Sequence, residues 1–531
     1  MASLLEQNIN ALQQGANSCL QEIGRGIEKE GLRTTRKGVI AQTDHPAALG
    51  HPLTHPQITT DYAESLLELI TPVLHSPGQV IDSITDIHRF VQKNLDDELI
   101  WAGSMPCIIN GEESIVVGKY GDSNLGRIKH VYRQGLGVRY GRVMQSIAGM
   151  HYNFSLPDTF WTFWHEYRQS RLSLQDFKSE EYFALIRNFR RYSWLVMYLF
   201  GASPAMDQSF LEPHQLEKSH PDLKRINNRS AYMPYATSLR MGDMGYHNNA
   251  QSSLAICFNK LDSFVSTLDQ AIHTPYARYQ ETGTERNGEF IQLSTNILQI
   301  ENEYYSSIRP KRTIFSGEKP IHALEQRGVE YIEVRCLDLD PYSPVGATES
   351  QIRFMDAFLV FCLLTDSPWI QDEECKRIDS NFDKTVTRGR QPGLKLQSDG
   401  GEVLLTGKAE QLFEQLSLSA SLLDHSASPD SSQQNANLYQ KAVSEQRLKL
   451  DHPELTPSGQ MILSLENDHS DYVELVCTLS EQHQKKLNAR PLDDACEQSL
   501  INKAKESFLK EKALKDSDNC DFATYLNQYL M

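Results

Sequence analysis

Several short segments carry residues whose types and spacing suit chemistry. In Ile27-Glu28-Lys29-Glu30-Gly31, one residue separates two carboxylates. On a strand both point to the same face, close enough to hold a cation between them. Without one they repel, and burying them is costly. A solvated edge strand suits the same pattern. In Thr60-Asp61-Tyr62-Ala63-Glu64-Ser65-Leu66-Leu67-Glu68-Leu69-Ile70, Glu68 interrupts the apolar run LLELI and Asp61 closes a β-branched stretch. A lone carboxylate in such a run is expensive unless paired or ligating; solvated turn and strand-end acids are the other reading. In Met150-His151-Tyr152-Asn153-Phe154-Ser155, alternation puts His151, Asn153 and Ser155 on one face. A strand histidine is commonly a hydrogen-bonded structural residue, but its polar company favours a functional one. In Tyr331-Ile332-Glu333-Val334-Arg335-Cys336, Glu333 and Arg335 share a face. They form either a simple ion pair or a metal ligand beside a guanidinium able to grip carboxylate or phosphate oxygens.

Arg127, Lys129, His130, Arg133, Arg139 and Arg142 make one segment basic in an otherwise acidic chain, and Tyr132 and Leu136 share a helix face there. This is a cationic patch for a small anion or an ordinary solvated face. Together the segments offer several carboxylates, one histidine and a set of arginines. Oxygen-rich ligation with one nitrogen suits Mg²⁺ or Mn²⁺ better than structural zinc, and divalent cations with arginines are the equipment of phosphoryl transfer. No P-loop, dinucleotide-binding, kinase or nucleophile-elbow motif is present. ATP, if used, must be held through metals and basic side chains.

The rest of the sequence bounds the class. A net charge of −17 argues against a nucleic-acid binder, whose field must be positive. The nine cysteines are scattered and never fall in CxxC, which fits a reducing cytoplasm rather than a disulfide framework or zinc cluster. The amphipathic start lacks the features of a signal peptide, and no window approaches the roughly 18 apolar residues of a membrane span.

The elements that must position these residues follow from periodicity. Residues 2–22 read as a leading helix stopped by Gly24 and Gly26. Extended stretches follow at GIEKEGLRTT, QITTDY, SLLELITP and MQSIAGMHYNFSLP, with helical text at VIDSITDIHRFVQKNLDDELI and GRIKHVYRQGLGVRYG. A second extended set is expected at MPYATSLRMG, EFIQLSTNILQI and VEYIEVRCLDLDP, then a helix over SQIRFMDAFLVFCLLTDSPW. Strands mixed with helices, without βαβ alternation, give α+β with a mostly antiparallel sheet. Residues 381–531 read as a loop or hairpin at QPGLKLQSDGGEVLLTG, a helix at KAEQLFEQLSLSASLLD, a Ser/Gln/Asn-rich loop at SASPDSSQQNAN, and charged amphipathic helices.

At this point the chain resembles the proteobacterial glutamate–cysteine ligases. The resemblance rests on GIEKEGLR, LTHPQITTDYAESLLELITP, SMPC, QSIAGMHYNFSLP, YLFGASPA, PYATSLRMGDMGY, NILQIENEYYSSIRPKR and YIEVRCLDLDPYSPVG, in order over about residues 20–370. It implies a glutamine-synthetase-like catalytic core, residues 1–380, with a curved, mostly antiparallel sheet and a helical C-terminal region packed on it. It implies ATP-dependent joining of the glutamate γ-carboxylate to cysteine through a γ-glutamyl phosphate, the first step of glutathione synthesis. A related ligase using a different amine is the alternative. By motif position Glu28, Glu30, Asp61, Glu68, His151 and Glu333 are the implied magnesium ligands, with manganese as a substitute. Arg133 and Arg335 are the implied catalytic arginines; Tyr132, Leu136, Gln145, Arg240, Tyr246 and Tyr305 the implied cysteine pocket. The family also implies a cytoplasmic monomer, inhibited by glutathione, with no membrane or nucleic-acid partner.

Overall fold

Alternation of polar and apolar residues along several short segments builds one antiparallel sheet with two unlike faces. The computed structural model describes residues 3–211, 220, 222–227, 229–245, 254, 256–315, 318–427, 437–467 and 471–530. The sheet contains seven strands: β1 (Gly24–Thr35), β2 (Ile58–Thr60), β3 (Leu66–Ile70), β4 (Glu98–Ile100), β5 (Met150–Ser155), β6 (Ile308–Lys311) and β7 (Tyr331–Leu337). Their order is β6-β7-β5-β1-β3-β2, and β4 pairs with the far end of β1. Every pairing is antiparallel. The chain is therefore α+β.

Register decides which side chains meet. Glu28 lies opposite His151, Glu30 opposite Glu68, and Glu333 opposite both Asn153 and Arg309. These residues share one face. The opposite face carries Ile27, Leu67, Leu69, Met150, Tyr152, Phe154, Ile332 and Val334, all buried. The helices Pro77–Lys93, Leu174–Phe200 and Glu349–Leu364 cover that apolar side. One buried apolar cluster runs from Leu5 to Leu500, so the C-terminal helices share the core of the sheet region.

The sheet has one irregularity that matters. Between Val334 and Leu337 the β7 register against β5 shifts, a bulge that falls at Arg335 and Cys336. Bulges bend a strand and re-aim the side chains there.

Several expected elements differ. The leading helix ends at Gly15, where the Phe163 ring occupies the space a side chain would need, and residues 17–22 continue as a 3-10 turn. The stretch 233–242 is not a strand: Thr237 and Ser238 both donate backbone N–H groups to Val386 O, and Leu239–Met241 is a 3-10 turn. Only Glu289–Phe290 of the stretch 289–300 pairs as a strand. Beyond it Gln292 donates to Gly283 O and Ser294 O accepts from Arg139, so tertiary bonds take the place of a ladder. The hairpin Lys395–Ser398 with Gly401–Leu404 and the helix after it form as expected. The Ser/Gln/Asn-rich loop falls largely outside the described residues. No helix among the described residues is long and apolar enough to cross a membrane.

Candidate active site

The polar face of the sheet forms the floor of a cavity of about 620 Å³. Glu28, Glu30, Asp61, Glu68, His151 and Glu333 line it, with Arg133, Arg335, Tyr132, Leu136, Gln145, Arg240 and Tyr305. The folded chain thus brings together every described residue that the family resemblance assigned to the site, whereas Ser155, Arg127, Lys129, His130 and Arg142 do not line this cavity. Tyr246 lies outside the described residues.

The centre of the floor is a tight constellation. His151 Nδ1 lies 3.2 Å from Glu28 Oε2 and 3.7 Å from Glu333 Oε1, and His151 Nε2 lies 3.8 Å from Glu30 Oε1. Ligand atoms of Glu28, His151 and Glu333 lie within 4.8 Å of one another. Asn153 donates to Glu28 Oε1 at 2.8 Å, and the Gly149 N–H donates to Glu30 Oε2 at 2.6 Å. These outer bonds orient the carboxylates, as the neighbours of metal ligands commonly do.

The electrostatics divide the carboxylates into two groups. Burial would raise the Glu333 carboxyl, but Lys311, Arg335, His151 and Arg309 hold it well below the usual range. Lys311 Nζ is 3.3 Å from Glu333 Oε1, and Arg335 donates to Oε2 at 3.1 Å. Glu28 is also lowered: burial opposes this, and the His151 hydrogen bond and Lys311 overcome it. Glu68 goes the other way. Burial raises it well above the usual range, and Glu28, Asp61 and Glu30 add to the rise. Its carboxylate has no hydrogen bond or ion pair among the described residues. Glu30 is raised by burial and by Asp61. One end of the site is therefore balanced by fixed cations, while at the other burial and carboxylate repulsion outweigh the pull of Arg133 on Glu68 and of His151 and Arg240 on Glu30, a strain that a proton or an added cation would relieve. That donor set, oxygen-rich with one imidazole, fits Mg²⁺ or Mn²⁺.

One wall of the cavity comes from the helix Asn124–Tyr140, which starts with Ser123 capping the Gly126 N–H. Tyr132, Arg133 and Leu136 face the cavity from it. Arg133 donates from Nε to Asp61 O and from NH1 to Lys129 O, and its guanidinium lies over the Tyr120 ring. The expected basic patch on this helix does not form as one surface. Arg139 is buried against Glu303 at 2.9 Å and donates to Gln292 and Ser294, so it fastens the helix. Arg240 lines the opposite wall, buried, with NH1 3.3 Å from Asp338 Oδ1 and NH2 donating to Arg335 O. Gly149 makes room for that guanidinium, since a side chain there would overlap it.

Sequence reasoning missed Arg309 and Lys311. Both line the cavity, with Pro310 between them on β6. Burial and the neighbouring Arg335 push Arg309 down to about 10. Their signal was present as RPKR within one of the motifs, but nothing in the sequence told that β6 would lie beside β7. A second cavity of about 340 Å³ adjoins here, sharing Asn302, Tyr304, Arg309 and Lys311 and walled by Phe264, Leu268, Ile314, Ile321, Leu324 and Tyr331.

Comparison with known proteins converges on one family. A family model described as glutamate-cysteine ligase matches residues 9–385. A glutamate–cysteine ligase of Hahella chejuensis is 52% identical over 537 aligned residues, covering 100% of this chain and 99% of the relative. One from Pseudomonas entomophila is 47% identical, covering 100% and 97%. The crystal structure of Francisella tularensis glutamate–cysteine ligase in complex with AMP superposes with a TM-score of 0.88 at 35% identity, over 96% of this chain and 97% of that one.

Proposed function

The chain belongs to the glutamate–cysteine ligase family, and we propose that it joins the γ-carboxylate of glutamate to the amine of cysteine at the expense of ATP. The observation that carries this is the constellation on the sheet floor. In a member of this family, Glu28, Glu30, Asp61, Glu68, His151 and Glu333 line one cavity with Arg133 and Arg335. The arrangement supports a glutamine-synthetase-like catalytic core.

The six floor residues would hold magnesium, or manganese in its place. When bound, the cations supply neutralisation of the triphosphate and of charge developing on the transferred phosphoryl group. Arg309 and Lys311, between the two cavities, face the region where phosphates would lie. The adjoining apolar cavity, with Tyr304 and Tyr331 in its walls, suits a planar base. Arg335 sits beside Glu333 at the bulge and would grip the oxygens of the transferring group.

The chemistry then runs in two displacements. A γ-carboxylate oxygen of glutamate attacks the γ-phosphorus of ATP, and the bond from that phosphorus to the β–γ bridging oxygen breaks, releasing ADP. The cysteine nitrogen attacks the resulting acyl carbon, and phosphate leaves with the bonding electrons and carries away the amine proton. Arg133 would orient glutamate, while Tyr132, Leu136, Gln145, Arg240, Tyr246 and Tyr305 would hold cysteine, with Arg240 on its carboxylate.

The test is phosphate release from Mg·ATP with glutamate, cysteine, both or neither, and the product identified by mass. Release that needs both amino acids and matches γ-glutamylcysteine mole for mole is expected. Efficient replacement of cysteine by another amine would overturn the substrate assignment.

A further inference from the structure

The helix that carries Tyr132, Arg133 and Leu136 is weak by its own sequence. NLGRIKHVYRQGLGVRY contains Gly126, Gly135 and Gly137, and each glycine costs about 1 kcal/mol relative to alanine inside a helix. None of the three has free space for a side chain, Gly137 facing the Tyr62 hydroxyl. A side chain at Gly126 would strike the Tyr120 backbone, and one at Gly135 would strike the Gln299 amide. Such a helix holds its shape through what packs on it.

Its C-terminal half is fastened to the body of the protein. Arg139 pairs with Glu303, and the Gln299 amide donates to Tyr132 O at 3.2 Å. Its N-terminal half is fastened by the last helix of the chain, Phe522–Leu530. Ile128, Val131, Leu293, Phe522 and Leu526 form a small buried cluster separate from the main core. The Arg127 guanidinium lies 4.1 Å from the Phe522 ring centroid, and Phe290 meets that ring edge-on at 5.2 Å. Just before the terminal helix, Asp518 accepts from the Asn124 N–H at 2.8 Å and Cys520 O from the Asn124 amide at 3.0 Å. Those bonds hold the first turn of the substrate helix. Tyr132 stands at the join: it packs against the small cluster and also lines the cavity.

We infer that the terminal helix is a positioning element for amino-acid binding, with Phe522 and Leu526 acting through Ile128, Val131 and Tyr132. The inference rests on the proposed use of the cavity. Its separation from the main core gives it a specific signature. Loosening it unfastens one wall of the site while leaving the sheet floor, with its cation ligands, intact.

The experiment uses the full chain with Phe522→Ala combined with Leu526→Ala, the conservative Phe522→Leu, and Leu416→Ala as a control in the main core. Hydrogen exchange is followed at residues 124–140 and in β1, and KM is measured for cysteine, glutamate and ATP. In the double variant, exchange over 124–131 should speed by about tenfold or more with β1 unchanged. The KM for cysteine should rise about tenfold, with that for ATP and with kcat within about threefold of the parent. Phe522→Leu should recover most of the loss, and Leu416→Ala should leave the KM ratio unmoved. Unchanged exchange over 124–131 would overturn the inference, as would equal rises in KM for cysteine and ATP or the same KM change in Leu416→Ala. If the parent protein made no use of cysteine, the functional reading would fall, while hydrogen exchange would still decide whether the terminal helix holds the wall.

Discussion

β1 presents two buried charged faces, and they are built on opposite plans. On the helix-covered side, Arg25 is almost wholly enclosed, and its Nε donates to Asp356 at 2.8 Å. Its other donors reach Ile23 O, His75 O and the Tyr439 hydroxyl, while Tyr152 donates its hydroxyl to the second Asp356 oxygen. Arg25 thus has its complement there, while Lys29 on the same side is buried with no hydrogen bond or ion pair among the described residues, and burial pushes it down to about 7. On the cavity side, Glu30 and Glu68 lie opposite each other on neighbouring strands with Asp61 close by, and Glu68 has no hydrogen bond or ion pair among the described residues. Burying a charge is tolerable only when something balances it. The covered face balances Arg25 with the protein's own atoms and shifts Lys29 toward its neutral form, so it needs nothing added. The open face leaves Glu68 without such a partner, which is what the proposed cation site requires.

The largest effects that would sharpen this contrast are on the cavity face. Glu28→Gln or Glu333→Gln should lower turnover with magnesium by at least about a thousandfold, because each removes a carboxylate that the proposed cations would need. Melting of the metal-free variants should stay cooperative. Near-parental phosphate release in either variant would break the assignment of that face. On the covered side the effect should move from activity to stability. Asp356→Ala leaves Arg25 buried and unpaired, a loss of about 3–5 kcal/mol. Denaturant titration measures it, and a variant as stable as the parent would erase the distinction between the two faces.

A smaller effect is expected at the far wall. Arg240→Lys keeps the charge beside Asp338 but loses the planar fork, so the KM for cysteine should rise about tenfold while that for glutamate changes little. Equal change for both amino acids would remove Arg240 from the cysteine pocket.

Much of the cavity face was legible because it is written in strand alternation. Glu28 and Glu30, His151 and Asn153, and Glu333 and Arg335 announce a polar face two residues at a time. The pairing of strands is not written locally. Nothing near Glu30 says that Glu68 will lie opposite it, and nothing near Arg25 names Asp356, 331 residues away. The same gap explains Arg309 and Lys311, which became site residues only when β6 paired with β7. It explains Arg139 too: on sequence it belongs to a cationic patch, and in the fold it is spent on Glu303. The stretches around 233–242 and 289–300 misled for a related reason. Their β-like composition serves irregular backbone whose hydrogen bonds are taken by distant partners.

The smallest effect tests the imbalance itself, through pH. Burial and then the neighbouring carboxylates raise Glu68 well above its ordinary value of 4.5, so the folded, metal-free protein binds that proton more tightly than the unfolded chain does. Stability from this group is therefore present at low pH and lost as pH rises through the raised folded value. Glu333 has the opposite sign: held well below 4.5 by Lys311 and Arg335 against the opposing effect of burial, it contributes stability above that value and loses it on acidification. Glu68→Gln removes the first dependence and keeps the second. With chelator present, the variant should gain on the parent by about 1 kcal/mol as pH rises from roughly 5 to 8, with the two converging toward acid. With magnesium present the gain should vanish or reverse, since the bound cation takes the place of the proton. Thermal melts across that pH range, with chelator and with magnesium, measure both. Parallel curves for parent and variant under chelation would mean that Glu68 already has its partner within the protein, and the cavity face would then be balanced in the same way as the covered one.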